Sequence, residues 1–164
     1  MDPGAEEVHG FSLEKLYELS EGMEFLDQLQ DFMKDFFDAD FVIGHNVQFD
    51  IKFLKHELNS LYEVGMIDET WEPKNSFCTM TYYKNICNIP APRGNGIKNP
   101  KLSEVIDFLN ISQDKITTKA NELFQGSGNY HDARFDTAAT YLLVIEGIKQ
   151  KYIKPGFFSE QLKK

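Results

Sequence analysis

Phe41-Val42-Ile43-Gly44-His45-Asn46-Val47-Gln48-Phe49-Asp50 is the stretch on which the fold turns. Its first four residues are a continuously apolar run, bounded upstream by Asp38-Ala39-Asp40. An apolar run without polar alternation reads as a short strand buried on both faces, the habit of strands in a parallel sheet. Asn46 is placed to cap the helix that follows. That helix runs to about Val64, with Val47, Ile51, Leu54, Leu58 and Leu61 as its apolar stripe. A strand feeding straight into a long amphipathic helix is the unit of an α/β fold.

Outward from this unit the chain is mostly helical. Upstream, Ser12 is placed to cap a short helix to about Leu19, and Ser20 to cap the next. Phe25, Leu26, Leu29, Phe32, Met33, Phe36 and Phe37 then recur with helical period. Downstream, Ser76 to Thr79 reads as a second short strand, followed by a helix through Tyr82, Tyr83 and Ile86. Residues 88–100 hold three prolines and two glycines and read as a long exposed loop. Leu102 to Leu109 is helical, and Gly126-Ser127-Gly128-Asn129 precedes a final helix from about Asp132 to Gln150. No repeat or linker divides the chain, so residues 1–164 read as a single domain. Within it, residues 1–11 form an entry loop, and residues 153–164 a C-terminal tail packed loosely through Phe157 and Phe158. Two strands cannot cover the apolar faces of so many helices, because a stable sheet layer normally needs more. Either the sheet is completed from elsewhere or strands are missing from this chain.

The composition of the 164 residues, 41% apolar and 26% charged, excludes a disordered chain and leaves room for one sizeable core. No apolar run approaches the roughly 20 residues of a membrane helix, and no basic-then-apolar leader opens the chain, so cytoplasmic residence without a membrane partner is expected. The net charge of −9 argues against gripping nucleic acid by bulk electrostatics. It leaves room for an enzyme that meets phosphate through bound cations, whose acidic ligands add to the deficit. Cys78 and Cys87 are two thiols without metal or disulfide spacing and read as buried free cysteines.

Two aspartates sit where core residues are expected. Asp50 lies three residues after Val47 and four before Leu54, on the apolar stripe, and Asp136 shares a helix face with Ala139, Thr140 and Leu143. Neither has Lys or Arg three or four residues away. A carboxylate at a helix N-terminus is favoured by the macrodipole, which accounts for either aspartate alone. Together with His131, five residues before Asp136 and behind a glycine-flanked loop, they suggest more. Two carboxylates converging on divalent cations and an imidazole titrating near neutrality are what phosphodiester hydrolysis requires.

These residues carry a resemblance. His45-Asn46-Val47-Gln48-Phe49-Asp50 resembles the second motif of the DEDDh 3′–5′ exonucleases, and His131-Asp132-Ala133-Arg134-Phe135-Asp136-Thr137-Ala138 resembles their third. Val8-His9-Gly10-Phe11-Ser12, Cys78-Thr79-Met80 and Lys101-Leu102 are similar to further family segments in the same order. Members include proofreading subunits of bacterial DNA polymerases, ribonuclease T and oligoribonuclease-like enzymes. The resemblance implies a ribonuclease H-like exonuclease fold, α/β with helices on both faces of a mixed sheet. It implies Mg²⁺ or Mn²⁺ held by Asp50 and Asp136, and His131 as general base. Asn46, Phe49 and Phe11 would meet the 3′-terminal nucleotide, while a helix cap and a core aromatic account equally well for Asn46 and Phe49. His9 and His45 read as structural histidines that bond backbone, and His56 as solvated.

The family's first motif, an Asp-x-Glu pair on the first strand, has no counterpart here; Asp38-Ala39-Asp40 precedes the wrong strand. On this resemblance the chain begins about three strands late, so the N-terminal strands and half of the carboxylates are missing. A fragment, one half of a split enzyme and a degenerate non-catalytic assembly module are the three histories that fit. The expected partners are single-stranded DNA or RNA 3′ ends, a DNA polymerase subunit and, for a split enzyme, a strand-donating chain.

Overall fold

A computed structural model describes residues 12–124 and 132–163. In chain order these form α1 (Leu13–Leu19), a 3-10 turn (Phe25–Gln28), α2 (Leu29–Asp38), β1 (Val42–Gly44), α3 (Val47–Glu63) and β2 (Ser76–Cys78). They continue with α4 (Thr79–Cys87), α5 (Leu102–Phe108), α6 (Gln113–Phe124), α7 (Ala133–Lys149) and α8 (Phe157–Gln161). The architecture is mixed α/β and predominantly helical. Its sheet has two parallel strands, with Val42 opposite Ser76, Ile43 opposite Phe77 and Gly44 opposite Cys78.

Helices cover both faces of this small sheet, because successive strand residues point to opposite sides. Val42 and Cys78 enter a cluster built on Leu29, Val47, Ile51, Leu58 and Trp71, from α2, α3 and the loop after it. Phe41 and Phe77 enter the opposite cluster with Val144, Ile153, Phe157 and Phe158. A third cluster, built from α4 to α7 and the turn after α5, joins Tyr83, Val105, Leu109, Ile116, Phe135 and Leu143. Helix α7 carries eight buried residues over most of its circumference, leaving a narrow exposed stripe of Ala133, Thr137 and Tyr141.

Several expectations need correction. The run Phe41–Gly44 contains a strand, Val42–Gly44, but it is not buried on both faces: Ile43, at its centre, is 39% exposed. Ser20 ends α1 instead of opening the next element; the 3-10 turn is capped by Asp27, whose carboxylate accepts from Glu24 N–H at 2.7 Å. Helix α6 has no counterpart in the sequence reading, since its sparse stripe buries only Ile116 and Ala120. Residues 88–100 contain a short antiparallel hairpin rather than irregular loop alone, with Pro90 bridged to Ile97 and Ala91 N–H donating to Gly96 O at 2.8 Å. The C-terminal tail is not loose, because Phe158 packs edge-on against Phe41 and Phe77 at 5.2 and 5.1 Å between ring centroids.

The closest approach in the helical core fixes α4 against α7. The Tyr83 hydroxyl donates to the Leu143 carbonyl at 3.0 Å and lies where a Cβ on Gly147 would stand, 2.1 Å away. Burial pushes the Tyr83 phenol well above its ordinary value, so it remains a neutral donor. Gly147→Ala is therefore expected to destabilise by about 1–3 kcal/mol through overpacking. Tyr83→Phe, which loses the hydrogen bond, costs about 1 kcal/mol. Since Tyr83→Phe also removes the clashing oxygen, the double variant should be less destabilised than the sum, a coupling readable from urea midpoints.

Candidate functional site

Asn46, Phe49 and Asp50 stand at the carboxyl end of β1, where α3 leaves it, beside the point where α4 leaves β2. In open α/β sheets this is the end at which ligands bind. Gly44 permits the tight exit from β1, since a Cβ there would stand 3.0 Å from Val47 Cβ and 3.2 Å from Val47 Cα. Asn46 then takes the left-handed conformation at φ 73°, which Asn tolerates better than most residues. Its side chain makes no capping hydrogen bond, so the expected Asn46 side-chain cap is corrected: the residue serves the turn, and its exposed amide is left outward.

Phe49 and Asp50 follow in the first turns of α3. Phe49 is 57% exposed and packs on Phe53, itself 54% exposed, at 4.7 Å between centroids. The core-aromatic account of Phe49 therefore fails, and the pair forms an exposed apolar platform. Asp50 is also exposed, contrary to its placement on the buried stripe: the core side of α3 is carried by Val47, Ile51 and Leu58. The surrounding protein still withdraws its carboxylate partly from water, which raises its pKa against the opposing pull of its own backbone N–H.

Asp136 occupies the equivalent place on α7, in the first turn, with Ala139, Thr140 and Leu143 buried along the helix as expected. The cap before it is built by Asp132, which accepts from Arg134 N–H at 2.9 Å and holds the Arg134 guanidinium at 3.0 and 2.7 Å. The Arg134 guanidinium and backbone keep the Asp132 carboxyl below its usual range despite some burial. Both α3 and α7 pack against β1. The expected base, His131, and the expected substrate contact, Phe11, lie outside the described residues. Among those described, no group of three His, Cys, Asp or Glu side chains comes together as a metal cage would need.

A clamp at the same end connects three segments. His45 Nε2 lies 3.0 Å from the Pro100 carbonyl and Nδ1 3.0 Å from Thr79 Oγ1, while Thr79 Oγ1 lies 3.3 Å from the Gly44 carbonyl. A carbonyl only accepts, so Nε2 carries the proton toward Pro100; in the neutral ring Nδ1 must accept from the Thr79 hydroxyl. Burial lowers the His45 pKa, against the opposing Pro100 bond, so the neutral arrangement prevails at pH 7. His45 is thus a structural histidine bonded to backbone, as its sequence context suggests, and His56 is exposed on α3. The tie to Pro100 spans 55 residues and had no signal in the sequence.

Cys78 went unnoticed as a polar centre. Burial raises its pKa, but the N–H and hydroxyl of Thr81 and the N–H groups of Val47 and Asn46 outweigh burial and lower it. Cys87, with no such donors, is pushed up by burial and by Glu104. Both thiols are free and half-buried rather than fully enclosed.

Two stability effects follow from these shifts. For His45 the folded pKa lies below the free value of 6.5, so the unfolded chain binds more protons, and stability should fall as pH drops through and below 6.5. Urea unfolding on either side of that value should show the loss, reduced in His45→Gln. For Asp50 the folded pKa lies above 3.8, so the ionised group opposes folding at neutral pH. Asp50→Asn should therefore raise the urea midpoint at neutral pH, the gain fading as pH falls toward 3.8.

In comparisons of the chain with protein-family models, curated proteins and solved structures, nothing matches.

Proposed function

We propose that this chain is the later part of a ribonuclease H-like, metal-dependent 3′–5′ exonuclease acting on single-stranded DNA or RNA. One observation carries the reading: Asp50 and Asp136 both stand in the first turn of a helix packed on β1. Their sequence contexts are the two motifs quoted above, in family order. The donor set fits the ion, since carboxylate oxygens without thiolates suit Mg²⁺ or Mn²⁺. When bound, such cations polarise the phosphate and stabilise the leaving oxygen.

The chain's own residues divide the remaining work. Asp50 and Asp136 hold the cations; the raised pKa of Asp50 reflects partial burial, a disadvantage that an adjacent cation would reverse. His131 accepts the proton of the attacking water. The exposed Phe49 ring, backed by Phe53, offers a stacking surface to the terminal base, and such contacts tolerate any sequence. The Asn46 amide and Phe11 complete the contacts to the terminal nucleotide, and a polymerase subunit is the natural source of 3′ ends.

A second reading, a non-catalytic assembly module, is favoured by the shortage of ligands: two aspartates alone, with no Asp-x-Glu pair in the sequence. One experiment separates the two. Oligonucleotides labelled at the 5′ end are incubated with the chain, completed by strands carrying an Asp-x-Glu pair, and Mg²⁺ or Mn²⁺, with and without chelator. Shortening from the 3′ end is expected, abolished by Asp136→Ala and slowed about 10²–10⁴-fold by His131→Ala. No shortening under any metal, or shortening indifferent to Asp136→Ala, rejects the exonuclease.

A further inference from the structure

Charge is unevenly placed along the chain. Between Glu72 and Glu104 the sequence holds no Asp or Glu, although the whole carries 26 of them, and it holds Lys74, Lys84, Arg93, Lys98 and Lys101. Arg93, Lys98 and Lys101 belong to the antiparallel hairpin of residues 88–100 and its base. Lys98 N–H donates to Ile89 O at 3.0 Å and Ala91 N–H to Gly96 O at 2.8 Å, and residues 92–96 are exposed at the tip. Pro90 and Pro92 restrict the arm that enters the tip, and Gly94 turns it at φ 84°. Arg93 and Lys101 are exposed and make no ion pair among the described residues, whereas Lys98 is paired with Glu104. The other arginine of the chain, Arg134, is held by Asp132, so Arg93 is the guanidinium left without a carboxylate among those residues.

We infer that this hairpin is a phosphate-gripping arm, which holds a single strand of DNA or RNA behind its terminal nucleotide. Its place in the fold carries the inference. The 3.0 Å bond from His45 to the Pro100 carbonyl fastens the end of the hairpin segment to the residue before Asn46, so the arm is anchored at the carboxyl end of β1. From Pro100 to Gly94 the chain spans at most about 22 Å, which keeps the tip near that end. The same turn after β1 leads into α3 and its exposed Phe49 and Phe53 rings. A cationic element that tracks phosphates, near aromatic rings on which bases stack, is how proteins hold single strands. Arginine suits the task because its planar fork meets two phosphate oxygens at once. The tip Pro92-Arg93-Gly94-Asn95-Gly96 has no large apolar side chain of the kind that forms the centre of a protein interface. Its cations also fall short of the cluster of about four to eight that draws an anionic membrane. The grip is local, within a chain whose net charge is −9. It rests on the exonuclease reading for its substrate class and deepens it.

The test measures binding of a short 5′-fluorescent oligothymidylate to the full chain by anisotropy, at low salt with Ca²⁺ as the oxygen-liganded cation. Arg93→Ala should weaken binding about tenfold and Arg93→Glu more, while Arg93→Lys keeps the charge and loses less. Each phosphate contact to a single strand adds about 0.7 to the slope of log affinity against log salt. Arg93→Ala should therefore lower that slope by about 0.7, and Arg93→Ala combined with Lys101→Ala by about 1.4. Lys34→Ala removes the same charge from the exposed side of α2 and should leave affinity and slope unchanged. A methylphosphonate oligothymidylate, whose backbone is neutral, should bind at least about tenfold more weakly. Failure of the oligothymidylate to bind overturns the proposal, as do equal losses in Arg93→Ala and Lys34→Ala or equal binding of the neutral strand. A polyglutamate peptide that binds as tightly, and loses affinity in Arg93→Ala, overturns it in favour of an acidic protein partner. Hydrolysis is not read, so the two readings fail separately. Binding that depends on Arg93, in a chain that once completed shortens nothing, rejects the exonuclease alone; shortening by a completed chain whose Arg93→Ala variant binds unchanged rejects the arm alone.

Discussion

The pairing of Val42–Gly44 with Ser76–Cys78 is the constraint on which the rest of the molecule depends. It is only three residues long, yet α3 leaves one strand and α4 the other, and α7 packs on β1. Three residues of ladder cannot hold such an assembly by hydrogen bonds alone, each of which adds about 1 kcal/mol net. The sheet is held from its faces. Val42 and Cys78 are gripped by the α2–α3 cluster, and Phe41 and Phe77 by the cluster around Val144 and Ile153. Every candidate residue that the structure describes is therefore aimed by helices that converge on a minimal sheet.

The His45 clamp makes this convergence stiff where it matters. One imidazole joins the end of β1, the first residue of α4 and the end of the 88–100 segment through Pro100. Its chemistry accommodates either protonation state. A charged ring donates from both nitrogens, and the Thr79 hydroxyl then turns its proton to the Gly44 carbonyl, 3.3 Å away. Protonation gains one bond but buries a charge, and burial outweighs hydrogen bonding in setting the direction of its pKa.

How far the sequence could be read depends on whether a feature is local. Both strands, α3 with its stripe Val47, Ile51 and Leu58, and α7 were legible because period and apolar content sit within one segment. Helix α6 was not, because a helix that buries Ile116 and Ala120 against α7 needs little apolar content of its own. Asp50 was misread for a related reason. Its phase on the helical wheel falls beside Leu54, but only Val47, Ile51 and Leu58 lie deep in the cluster, and the flank of the stripe meets solvent. Asn46 has the residue type of a cap, and the type was right for a different use, the left-handed turn after Gly44. The meeting of Thr79, Pro100 and His45 depends on contacts across 34 and 55 residues, which no window reveals.

The distribution of charge bears on the exonuclease reading. On the α5–α7 side many acids are answered by cations, Glu146 by Lys115 and Lys149, Glu104 by Lys98, Glu122 by Lys119, and Asp132 by Arg134, while Asp107 and Asp114 make no ion pair among the described residues. Such exposed pairs add at most about 1 kcal/mol each, so their main effect is to neutralise that surface. Around β1, Asp38, Asp40 and Asp50 are all exposed and none makes an ion pair among the described residues. A polyanion approaching this end meets repulsion unless divalent cations lie between, which is the condition an exonuclease of this kind imposes.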